Sequence, residues 1–80
     1  MGKCILGSII FEDTMIVEYS YGIDDSMQGR LVIDKMPFSV QKIESNKIFA
    51  PESAAFELAA KIKKYYNEKG IYPNTISKQS

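Results

Sequence analysis

Eighty residues, 45% hydrophobic and 25% charged, suit one small folded domain and leave no room for a second. Ten basic and ten acidic side chains cancel, which argues against a dedicated nucleic-acid module, because phosphate neutralisation calls for a basic excess. Cys4 is the single cysteine and histidine is absent, so an internal disulfide, a Cys-pair zinc site and an imidazole base are all excluded.

A lone thiol in so short a chain leads to the expectation of a cytoplasmic protein. No apolar run approaches the roughly 18–20 residues of a membrane span. The opening Met1-Gly2-Lys3-Cys4 is not read as an acylation signal, because Leu6 stands where that pattern wants Ser or Thr. Charge is mildly uneven: five basic and seven acidic residues over 1–50, five and three over 51–80. The second half's excess belongs to lysines of its helix.

In chain order, residues 3–11 read as a strand that is apolar on both faces. Ile5, Ile9 and Phe11 alternate there with Cys4, Leu6 and Ile10. Glu12-Asp13 is a break short enough for a hairpin. Residues 14–21 alternate more cleanly, with Met15, Val17, Tyr19 and Tyr21 pointing to a core. Tyr21 to Gly29 reads as a loop holding Asp24-Asp25-Ser26. Residues 30–35 form a third strand with Leu31 and Ile33 inward, and Lys35-Met36-Pro37 turns the chain. Phe38 and Val40 share one phase and Ile43 the other, so a bulge near Gln41-Lys42 is expected to restore it.

Residues 51–69 carry the helix. Pro51 suits its first position, Glu52 its positive end and Gly70 its exit. Ala55, Leu58, Ala59, Ile62 and Tyr66 make one apolar stripe at three- and four-residue spacing, and Glu57–Lys61 and Lys64–Glu68 pair on the solvent side. The expected fold is α+β: a four-stranded antiparallel β-meander followed by one C-terminal amphipathic helix packed on one sheet face. Residues 1–70 make the domain and 71–80 a polar tail that frays.

Chemistry is sparse. Cys4 lies in an apolar strand without a His partner and reads as a buried structural thiol. Asp24-Asp25 lack the register of a calcium loop and suit an Asx turn instead. Asp34 and Glu44 read as solvated strand residues, and Tyr19 and Tyr21 as core aromatics with hydroxyls at the rim. No catalytic residue, metal ligand or cofactor site is expected.

One feature exceeds a self-sufficient monomer. A first strand apolar on both faces needs two covers, and the chain supplies one helix. Either Ile5, Ile9 and Phe11 or their alternates Cys4, Leu6 and Ile10 face water, unless the 44–50 loop with Ile48 and Phe49 folds across. The expectation is a non-catalytic accessory or regulatory protein acting by protein–protein association. A homodimer joined through the sheet face or edge at Ile5, Ile9 and Phe11 is the expected form. The alternative is a weak nucleic-acid-binding regulator using Arg30, Lys61, Lys63 and Lys64.

Overall fold

A computed structural model describes residues 4–79. The order is β1 (Cys4–Glu12), β2 (Ile16–Ile23), β3 (Gly29–Lys35), β4 (Phe38–Glu44), α1 (Glu52–Lys69) and β5 (Thr75–Gln79). All neighbours pair antiparallel in one sheet of order β4-β3-β2-β1-β5, and α1 lies across one face. The α+β meander with its helix is therefore present, enlarged by a fifth strand. No helix among the described residues is long and apolar enough to cross a membrane.

Val17, Tyr19 and Tyr21 of β2 and Leu31 and Ile33 of β3 are fully buried beneath α1. Alternation explains it, since every second residue of a strand points to one face. Two bulges reset the phase at the margins. Gln41 is the extra residue of β4, so Phe38, Val40 and Ile43 all pack against the core. In β1 the register shifts between Ile9 and Phe11. Phe11 then pairs with Glu18 on the outer face, and Glu12 turns to the helix side to meet Lys35 at 2.6 Å.

The first hairpin closes through Asp13, whose Oδ1 accepts the N–H groups of Met15 and Ile16 at 2.8 Å each. Those two bonds favour the charged form and hold the Asp13 carboxyl below its ordinary range. Met15 belongs to this turn and is 72% exposed, so it is not the core residue that alternation suggested.

The helix starts at Glu52 with Pro51 as its cap, one residue later than expected, and ends at Gly70. Gly70 adopts φ 78° and donates its N–H to Tyr66 O at 2.8 Å. Ala54, Ala55, Leu58, Ala59 and Ile62 are buried, and Tyr66 sits at the stripe's edge, stacked on Tyr72 at 4.5 Å. Three alanines let the helix lie close to the sheet. Gly7 makes room below: a Cβ there would stand 3.3 Å from Leu58 Cδ1 and 3.1 Å from Ile76 Cγ2.

Two buried tyrosines tie the sheet to both ends of the helix. Tyr21 donates its hydroxyl to Ala50 O at 2.9 Å, where the chain enters α1, and Tyr19 donates to Pro73 O at 2.6 Å, where it leaves. Burial raises the pKa of Tyr19, Tyr21 and Tyr72, with Glu12, Glu52 and Tyr66 respectively as the next cause. These phenols resist ionisation in the fold, but in the unfolded chain they ionise near 10. Their contribution is thus intact below pH about 10, and stability should fall above it as the unfolded state sheds protons first. Denaturant unfolding across that range, with Tyr19→Phe flattening the decline, checks it.

The tail expected to fray is β5. Tyr72 and Ile76 are buried, Ile9 donates its N–H to Asn74 O at 2.8 Å, and Cys4–Ser8 pair with Thr75–Gln79. Backbone pairing along β1 orders a segment whose side chains alone gave little reason for it.

Candidate interaction edge

Since β5 covers β1, the sheet edge beside the first strand is β5 itself. The Ile9–Asn74 bond sets its hydrogen-bonding phase: Asn74, Ile76 and Lys78 bond inward to β1. The backbone N–H and C=O groups of Thr75, Ser77 and Gln79 therefore point away from the sheet. Among the described residues no strand lies beyond them. Among the described residues Lys61 reaches them, its ammonium donating to Ser77 O.

Cavities flank this edge on both faces. On the helix side a cleft of about 380 Å³ runs between α1 and β5, lined by Lys61, Lys64, Tyr65 and Glu68. Lys78 lies alongside, with Nζ 3.5 Å from Glu57 Oε1. Three ammonium groups and two carboxylates thus border the edge there. On the outer face a groove of about 460 Å³ lies between Leu6 and Ser8 of β1, Thr75 and Ser77 of β5, and Asp25 and Met27.

The far wall of that groove is the β2–β3 loop, folded over the sheet at Gly22. A Cβ at Gly22 would fall 2.2 Å from Ser26 Oγ and 2.5 Å from Met27 N, so only glycine admits the loop. Asp24 and Met27 hold it in place at φ 56° and 50°, and Asp24 donates its N–H to Cys4 O at 2.6 Å. Left-handed backbone at two non-glycine residues costs about 1–2 kcal/mol each, so surrounding contacts must fix the loop.

The opposite edge is blunted. β4 carries the Gln41 bulge and a Lys42–Glu44 pair at 3.0 Å, which holds the Glu44 carboxyl below its usual range. Bulges and charged side chains are the usual guards of a sheet edge.

The residues singled out in the sequence fall apart in space. Ile5 is only 3% exposed under the chain's own helix, and Ile9 packs against the same core. Ile5 is thus closed off by the chain's own helix, and a charge there would report on folding, whereas Ile9 is half-buried. The bulge sends Phe11 alone outward, 48% exposed. The uncovered face holds the alternates, with Cys4 and Leu6 half-buried. The 44–50 loop does not cover it either: Phe49 O accepts from Ile23 N at 2.7 Å and from Ser26 Oγ at 3.0 Å, at the end of β2.

Arg30 points to the outer face, 3.0 Å from Glu18. Lys63 flanks β4, its Nζ 5.7 Å from the Phe38 ring centroid. Lys61 and Lys64 alone stand together, beside β5. Asp34 takes a 2.8 Å bond from Gln41 and Glu44 is paired with Lys42, so these carboxylates have separate partners. No group of three or more metal-ligating side chains occurs among the described residues. The edge itself escaped the sequence reading, although Thr75-Ile76 after the buried Tyr72-Pro73 is a short β-type signal.

Comparison with protein-family models, with curated proteins and with solved structures finds no match.

Proposed function

We propose that the protein is a non-catalytic association module that takes up an extended segment of another chain along β5. The observation carrying this is the outward set of backbone groups at Thr75, Ser77 and Gln79, bordered by a cavity on each face. Strand addition uses such an arrangement: main-chain bonds supply affinity, and pockets for alternate side chains supply selectivity. The β4 edge is instead interrupted by the Gln41 bulge and carries the Lys42–Glu44 pair. A lone thiol suits a partner met in a reducing compartment.

Ser77→Pro tests the reading. Ser77 does not donate to β1, so proline there removes an outward donor and leaves the inner ladder intact. Unfolding free energy should stay within about 1 kcal/mol of the parent. Extended peptides selected from a displayed random library should bind the parent, slow amide exchange at Ser77, and lose at least about tenfold in affinity with Ser77→Pro. Selected peptides that bind both proteins equally would remove β5 as the contact.

A further inference from the structure

We infer that the β5 edge takes a segment alternating acidic and apolar residues, supplied by a different protein and not by a second copy of this chain. The inference rests on the reading of β5 as the contact edge. In an added strand, successive side chains point to opposite faces of the sheet. Those on the helix side meet Lys61, Lys64 and Lys78, where Glu57 and Glu68 leave one positive charge uncompensated. Those on the outer side lean over Leu6 and Met27, beside Asp25, where an apolar side chain fits and an acidic one is repelled. Lys61 completes the fit. Its ammonium occupies Ser77 O in the free protein, and an incoming N–H would take that carbonyl and release Lys61 to a carboxylate.

The same charges disfavour self-pairing. Two copies joined β5 to β5 about a two-fold axis at Ser77 would set Lys61 beside its own mate, because Lys61 is bonded to Ser77. An axis placed between Lys61 and Lys64 instead meets a second conflict. Glu57, Lys61, Lys64 and Glu68 read the same in both directions, so antiparallel flanks centred on one another oppose acid to acid and lysine to lysine. A strand with carboxylates on that side meets no such repulsion.

Two short synthetic peptides of equal length decide it, one alternating valine and glutamate and the other valine and lysine. Each is titrated into the intact protein, with binding followed at the Thr75, Ser77 and Gln79 amides. The glutamate peptide should bind at least about tenfold more tightly than the lysine peptide, and the preference should collapse with Lys64→Glu or in high salt. Equal binding of both, abolished by Ser77→Pro, would overturn the acidic partner and leave strand addition standing. Edge amides unmoved by either peptide would overturn both. A single-stranded oligonucleotide bound with sub-micromolar affinity through Lys61 and Lys64, or a 9.0 kDa chain that sediments as a β5-linked dimer sensitive to Ser77→Pro, would also overturn it.

Discussion

Leu58→Ala should lower the unfolding free energy by about 2–5 kcal/mol, the largest loss expected from one truncation on this helix. Leu58 is fully buried and reaches over Gly7, which has no side chain of its own to fill the space it leaves. Small domains hold only about 5–15 kcal/mol in total, so the loss is a large share of the whole. The melting midpoint should drop by at least about 8 °C. Phe56, on the same helix but half-exposed, provides the contrast: Phe56→Ala should cost under about 0.5 kcal/mol. Urea unfolding of both variants, with slopes unchanged, tests this. Equal small losses would mean that the helix presents a different face to the sheet.

The second large effect is expected at Tyr19. Tyr19→Phe keeps the ring among Val17, Leu31 and their neighbours but leaves Pro73 O without its donor. A buried acceptor stripped of its partner costs about 1–3 kcal/mol. The loss should concentrate where Pro73 hands the chain to β5. Amide exchange at Ile76 and Lys78, which bond inward to β1, should accelerate well before that of Glu18 or Val32 in the middle of the sheet. Tyr21→Phe makes the complementary case, loosening the Ala50–Pro51 entry to the helix instead. Uniform acceleration across all strands would mean that the tyrosine contributes to global stability and does not latch β5.

The latch also bears on function. If β5 presents the contact edge, Tyr19 sets how often that edge is ordered, although it lies on the helix side of the sheet and touches no partner. Tyr19→Phe should therefore weaken peptide binding in proportion to the fraction of time β5 is detached. Tyr72 extends the same corner. Its hydroxyl is buried with no hydrogen-bond partner among the described residues, and its ring lies beneath the Lys35 ammonium at 5.2 Å.

Four strands, their order along the chain, the helix and its buried stripe can all be read from residue spacing. Spacing even marks the bulge at Gln41, because Phe38, Val40 and Ile43 cannot share a face without an extra residue. Periodicity carries that information: a residue's face follows from local spacing wherever apolar and polar residues alternate. Where both phases are apolar, spacing falls silent. In β1 it takes the packed chain to show that Ile5 and Ile9 face the helix, while Cys4 and Leu6 face out and the bulge releases Phe11. In β5 periodicity had one apolar residue, Ile76, to work with. That segment is ordered by backbone bonds to β1 and by the Tyr19 hydroxyl, a contact spanning 54 residues. Main-chain pairing over such a distance leaves no mark on side-chain pattern, and the candidate edge at Thr75, Ser77 and Gln79 exists only because of it.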